Sequence, residues 1–312
     1  MNIPNSGDIV NRVLLRLIWP NTSNVSLSVG TAMINMVELL YGDIVLERVY
    51  GENMYMMSDL MVSQGKRAAL TNLTGMDLTT PLTEYYIELP FTMKFPLFLL
   101  DQNPTLRVIF NQPSTFMTVP YLGRLDLKLV VEYAFLSQAE KFNMRNQKLV
   151  YTTQFYQMLQ FTARPSETVF NIVTSFIGNV KELFWVIQDP DTSQYTYRLD
   201  LVSLGLSFNG IEFLSPYIGT PIYLNKIQPL EHHTKNPTSN IYVYSFAINP
   251  ESSTPSGEVN LTNIMNQMHS FVIKPYTKTR NIRIYASTYN LVTISNGQLS
   301  VKYTLSESGF KN

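Results

Sequence analysis

The sequence predicts an all-β chain: two consecutive antiparallel β-sandwiches joined by a short helical linker. Three observations predict it. Apolar and polar residues alternate with period two through most of the chain, as strands with one buried face require. Turn clusters such as LYGDIV, DPDTSQ, NGIEF, NPESSTPSG and SNGQ separate those runs at near-regular spacing. Helical periodicity is confined to two stretches, which argues against an alternating α/β arrangement.

Taken in order, the strand-like runs begin with VLLRLIW at residues 13 to 19 and continue through MINMVELLYG, IVLERVYG, YYIELPF and LRVIFN. Among them ENMYMMSDLMVSQGKRAAL, residues 52 to 70, reads as a helix with Met56, Leu60 and Met61 on one face. LDLKLVVEYAFL is the strongest strand of this half: Leu125, Leu127, Leu129, Val131, Tyr133 and Phe135 alternate with Asp126, Lys128, Val130, Glu132 and Ala134. FLSQAEKFNMRNQKLV, residues 135 to 150, is the second helical stretch and the natural connector. Beyond it lie KLVYTTQFYQMLQF, TVFNIVTSF, KELFWVIQ, LDLVSLGLSF, IYVYSFAI, SFVIKP, IRIYASTYNLVTI and LSVKYTL. The expected division is 1–136 for the first sandwich, 137–149 for the linker and 150–312 for the second. Each strand-rich part matches one sandwich, typically on the order of 100 to 150 residues.

Composition bounds the function. At 312 residues and 35.7 kDa the chain buries a real core, and 45% hydrophobic content makes it globular. Charged residues supply only 15%, against about 25% in an ordinary domain, so Ser, Thr, Asn, Gln and Tyr must cover the surface. Lysines and arginines number 23 and so do the acids, leaving no electrostatic footprint for nucleic acid and no long-range repulsion between copies. The absence of cysteine excludes disulfides, zinc ribbons and thiol nucleophiles. The start lacks the basic flank of a signal peptide, and no window reaches ~18 consecutive apolar residues, so no membrane span is expected. Sequons at Asn21, Asn24, Asn72 and Asn260 read as the chance yield of an Asn- and Thr-rich chain.

No catalytic set emerges. His232 and His233 adjoin before an aromatic run, and adjacent residues on an extended segment point to opposite faces rather than gripping one metal. One imidazole is expected to pack or hydrogen-bond in the loop before IYVYSFAI, and His269 to lie at a strand edge. There is no G-x-S-x-G elbow, and GKRAALT lacks the flanking residues of a phosphate loop. Asp189 and Asp191 sit in a turn, where Asp and Pro set backbone geometry. Pro255, Ser256 and Gly257 fit a tight turn, proline pre-setting one dihedral and glycine permitting a positive one. Tyr242, Tyr244 and Phe246 share a strand face that reads as sandwich core, with a subunit interface as the alternative. Trp185 carries the same two readings.

Several segments resemble a known family. LVSLGLSFNGIEFL, with Asn209 and Gly210, leads into IYLNKIQPLEHHTKNPTSNIYVYSFAINPESSTPSGEVNLTNI, with His233, Tyr244, Ser245, Phe246, Asn249, Pro250, Pro255, Ser256 and Gly257. Followed by IRIYASTYNLVTISNGQLSVKYTL, they resemble in order the hallmark segments of the major capsid proteins of nucleocytoplasmic large DNA viruses, among them iridoviruses and phycodnaviruses. IPNSGDIVNRVLLRLIWP with Gly7 and Asp8, LVVEYAFLSQAEKF, and KELFWVIQ with Trp185 agree. The resemblance implies a non-enzymatic double jelly-roll subunit without cofactors, which trimerises into pseudo-hexagonal capsomers tiling an icosahedral shell. Its implied partners are copies of itself, neighbouring capsomers and minor capsid proteins, with no direct nucleic acid contact. Its implied place is the virion, after synthesis in the host cytoplasm. Met1 sits directly on the isoleucine-proline segment, so the first jelly roll is expected to lack its first strand. Alternative roles are a minor capsid or scaffolding paralogue of the same fold, or a carbohydrate-binding β-sandwich for host attachment.

Overall fold

The computed structural model describes residues 1–20, 28–78, 80–117, 124–192, 195–295 and 297–305. The sequons at Asn21 and Asn24 lie outside them. The first half contributes β1 (Ile9–Ile18), the single turn α1 (Val29–Ala32), β2 (Ile34–Tyr41), β3 (Ile44–Tyr50), α2 (Gly51–Met61) and α3 (Gln64–Thr74). It continues with β4 (Glu84–Glu88), the two-residue β5 (Phe95–Pro96), β6 (Thr105–Phe110) and β7 (Asp126–Ala134). Helix α4 (Gln138–Arg145) follows. The second half contains β8 (Leu149–Ala163), β9 (Val169–Thr174), β10 (Asn179–Gln188), β11 (Leu201–Phe208), β12 (Ile211–Leu214) and α5 (Gln228–His232). It ends with β13 (Tyr242–Ser245), β14 (Val259–Asn260), β15 (Gln267–Ile273), β16 (Arg280–Ser295) and β17 (Gln298–Val301).

Alternation decides which face each strand buries. In β7, Leu127, Leu129, Val131 and Tyr133 pack on the core while Lys128, Val130 and Glu132 face outward. Phe135 departs from that expectation: the strand ends at Ala134, and Phe135 is left exposed. β1 runs antiparallel to β7 on one side and to β4 and β5 on the other. Opposite this sheet, β6–β2–β3 completes the first sandwich, with Glu38 of β2 buried between Arg48 of β3 and Arg107 of β6. The second sandwich sets β12–β11–β15–β9 against β13–β10–β16–β8.

The two sandwiches share a wall. A single parallel bridge between Arg48 and Phe155 joins β3 to β8, so β6–β2–β3 and β8–β16–β10–β13 form one continuous sheet. β10 shows why KELFWVIQ lacks polar alternation. Leu183, Trp185 and Ile187 enter the second core, whereas Phe184 and Val186 enter the first. β13 splits likewise, with Tyr242 in the second core and Val243 in the first. The long strand β16 ends in the first core through Val292 and Ile294, beside Leu299 of β17.

The helical elements differ in two respects from the sequence reading, and the NGIEF turn in a third. The stretch 52–70 is two helices, because Val62 adopts an extended conformation (φ −86°, ψ 117°) and turns the chain at Ser63. That turn brings Arg67 of α3 back to Asp59 of α2, 3.0 Å away. Residues 221–232, which carry Pro221 and Pro229, are nevertheless helical. A π-helical turn at Tyr223–Ile227 widens the backbone just before Pro229, which removes the usual clash of a proline with the preceding turn. NGIEF is only half turn. Asn209 (φ +49°) and Gly210 (φ +82°) form a hairpin bend with both dihedrals positive, and β12 starts at Ile211.

Helix α4 forms where expected, and its start is chemically explicit. The Ser137 hydroxyl accepts from the Glu140 N–H while the Glu140 carboxylate accepts from the Ser137 N–H, a capping box that satisfies both otherwise orphaned donors.

Candidate functional site

The loop 246–257 between β13 and β14 carries Phe246, Asn249, Pro250, Pro255, Ser256 and Gly257, and its geometry begins with a bulge. Between Val180 and Glu182 the β10–β16 register slips by one, making Lys181 the extra residue. Its carbonyl accepts from the N–H groups of Phe246 (2.8 Å) and Ala247 (3.2 Å), and its ammonium donates to the Pro250 carbonyl at 2.6 Å. Burial pulls the Lys181 pKa down to about 8, against the opposing charges of Glu182 and Glu251.

Beside the bulge, a buried imidazole sits between two carboxylates. His233 caps the C-terminal end of α5 with an extended backbone, and its side chain is fully buried. Nε2 lies 2.7 Å from Glu182 Oε1 and Nδ1 3.2 Å from Glu251 Oε1. With an acceptor at each nitrogen both must donate, so the ring is an imidazolium. Burial alone would lower its pKa; the Glu182 and Glu251 charges and hydrogen bonds outweigh that and raise it to about 9. Glu251 is raised by burial but held below its usual range by His233 and by Thr234, whose N–H and hydroxyl donate at 2.7 and 2.6 Å. His232 ends α5 and donates from Nδ1 to the Ile248 carbonyl, 3.0 Å. The two histidines thus tether the same loop and share no ligand.

The turn residues complete the lock. The Asn249 side chain accepts from the Glu251 N–H at 3.2 Å, and Ser256 Oγ accepts from the Asn249 N–H and donates to its carbonyl. Gly257 has φ +149°, and a Cβ there would stand 2.5 Å from the Phe246 carbonyl oxygen, so only glycine fits. The Ser245 N–H donates to Gln228 Oε1 at 2.9 Å and its hydroxyl to the Ala247 carbonyl. Tyr244 and Phe246 are half-buried on the second core, and Tyr244 donates to the Phe213 carbonyl.

The remaining singled-out residues lie elsewhere. Trp185 is wholly buried and donates from Nε1 to Nδ1 of His269 at 3.2 Å. This corrects the edge placement of His269: β15 runs between β11 and β9, and the buried ring, pulled down to about 3, is neutral. Its proton is therefore on Nε2, toward Thr174 Oγ1. Asn209 Oδ1 accepts from the Asn266 N–H, tying the β11–β12 hairpin to the entry of β15. Near the N-terminus, Gly7 lies against the Tyr133 ring. Asp8 accepts from the Leu136 N–H (2.8 Å) and pairs with Lys141 of α4 (2.7 Å), fixing the exit from β7.

Sequence reasoning missed the junction between the sandwiches. Helix α2 places Glu52 against Arg283 of β16 (2.5 and 2.6 Å), with Tyr197 and Tyr285 donating to the same carboxylate. Burial drives the Glu52 carboxyl up, and Arg283 and the hydroxyls overcome it and hold it below its ordinary value. Two turns further along the same face, the buried Asp59 accepts from the N–H groups of Thr238 and Ser239, the Thr238 hydroxyl, Lys235 and Arg67. Tyr55 stacks on Tyr195, rings 4.4 Å apart and 7° from parallel. Two acids seven residues apart in an otherwise Met- and Leu-rich helix were the available signal, since that spacing puts both on one face.

The sequence pattern of the large eukaryotic DNA virus major capsid protein family matches residues 137–300, which include β10, α5 and the locked loop. The chain belongs to that family. Across 97% of its length it is 23% identical to the major capsid protein of Pyramimonas orientalis virus, covering 85% of that protein. The fold is similar to a chain of the PBCV-1 virus capsid, with TM-score 0.85 at 19% identity over 97% of this chain and 92% of that one. It is also similar to the Faustovirus major capsid protein, with TM-score 0.75 at 9% identity over 94% and 87%. The architecture is accordingly a double jelly roll. The chain is a structural component of the virion capsid and not an enzyme.

Proposed function

We propose that three copies of this chain associate into a pseudo-hexagonal capsomer and that capsomers tile an icosahedral shell. The observation that carries the reading is the shared wall. Alternate residues of β10 serve both cores, and Glu52–Arg283 and Asp59 clamp α2 of the first half onto the second. A rigid two-lobed body is a third of a six-lobed tile, and closed threefold symmetry completes it. Contacts between tiles can be individually weak because many act together. No described helix is long and apolar enough to cross a membrane. Neighbouring capsomers and minor capsid proteins are the partners this reading supplies, and the singled-out turn residues serve it by fixing the loop 246–257. Light scattering on the purified chain tests it: a mass near three times 35.7 kDa supports the capsomer, and a single-chain mass at every concentration removes it.

A further inference from the structure

Exposed apolar residues gather on one side of the second sandwich, where two sheet edges come together. Among the described strands β12 pairs only with β11, and β13 only with β10. Tyr244 of β13 donates to the Phe213 carbonyl of β12 at 3.3 Å, and the Phe213 and Phe246 rings meet edge to face at 6.3 Å. The intervening chain stays on this side. The Leu204 N–H donates to Gly219, and the Ser245 N–H to Gln228 of α5. There Ile211, Phe213, Tyr217, Ile222, Leu230 and Ile248 are 66, 40, 91, 69, 73 and 77% exposed.

Area and charge together select the occupant. Large apolar side chains this open offer on the order of 100 Å² each. Six such side chains offer roughly 600 Å², the upper end of the roughly 300–600 Å² that a monomer's largest apolar patch spans, and most of the ~800 Å² that one partner brings to a standard interface. Its exposed charges are Glu212, Lys226 and Glu231, with no basic excess. Anionic headgroups and nucleic acid phosphates are recognised by basic clusters, so neither fits this rim. A protein surface of the same mixed, uncharged kind does, and copies of a chain with equal acids and bases present one.

We propose that this β12–β13 edge is the face on which a second copy of the chain docks, with Tyr217, Ile222 and Leu230 as apolar anchors. The proposal rests on the trimer reading and names its contact surface.

Because the chain has no cysteine, single-cysteine reporters are unambiguous. Tyr217→Cys and Leu230→Cys should react with a maleimide at least tenfold more slowly in the trimer than after dilution to single chains, while Leu73→Cys on α3 reacts equally in both. The double variant Ile222→Asp/Leu230→Asp should give a single-chain mass with unchanged circular dichroism. A trimeric parent whose Leu230→Cys variant labels at the single-chain rate overturns the docking face alone. A parent that is never trimeric overturns the trimer reading and this proposal with it. Protection that develops only on adding anionic vesicles to single chains assigns the face to a membrane and overturns the proposal. If the double variant misfolds, the labelling rates still decide.

Discussion

The α2–β16 junction and the loop lock at β10 both bury carboxylates against a cation, yet they use different cations. At the junction Glu52 faces Arg283, a guanidinium that keeps its proton at any pH a folded chain survives. At the loop, Glu182 and Glu251 face His233, whose pKa of about 9 lies within experimental reach. The contrast assigns different work to similar chemistry. Alkali that deprotonates His233 releases the loop lock and leaves the Glu52–Arg283 junction charged. Buried ion pairs add little net stability over apolar packing, but removing one partner is costly, so both sites specify geometry more than they add energy.

Breaking the junction should have the largest effect. Arg283→Met leaves Glu52 buried beside Tyr197 and Tyr285 with no cation, an expected loss of about 3–5 kcal/mol in urea unfolding. Adding Glu52→Gln to that variant should restore most of the loss. If the double variant is no better than the single one, the cost lies in packing and not in the stranded charge.

His233→Gln should come next and should depend on pH. The folded pKa of about 9 is raised above the ordinary 6.5, so the stabilisation is fully present below 6.5 and is lost as pH rises through 9. A shift of that size corresponds to on the order of 3 kcal/mol. Lys181 acts oppositely: with its pKa lowered to about 8 from 10.5, its contribution is gained as pH rises through that interval. The informative quantity is therefore the parent-minus-variant difference, which should be constant below 6.5 and shrink toward pH 9. A difference that does not change with pH contradicts the imidazolium.

Gly257→Ala tests whether the loop backbone or its charges set the conformation. At φ +149° with Phe246 O so close, the cost should be about 1–3 kcal/mol and independent of pH. The smallest effect is expected at Asp8→Asn. It should speed amide hydrogen exchange at Leu136 with little change in global stability, since the Asp8 carboxyl, held low by Lys141 and the Leu136 N–H, pins only the exit from β7.

Period-two alternation makes the strand sequence legible, and the helical stretch after LDLKLVVEYAFL places the linker helix. The locked loop was legible as turn chemistry: Asn249, Pro250, Pro255 and Gly257 each have a local reason to be there. What was illegible depends on distant partners. Nothing near His233 in the sequence announces Glu182, 51 residues away, and His269 finds Trp185 across 84. Pro221 and Pro229 argue locally against a helix that a π turn makes possible. Alternation on β10 is erased because the strand divides two cores, a property of the whole fold and not of eight residues.

The shared wall requires both jelly rolls to unfold as one body, and the chain's two tryptophans report on it directly. Trp19 lies in the first core and Trp185 in the second. Urea unfolding followed by fluorescence in Trp185→Phe and Trp19→Phe isolates each core in turn. Once each variant's own stability change is subtracted, the account predicts coincident midpoints and slopes. Two separated transitions, one per core, would contradict the shared wall and the rigid tile built on it.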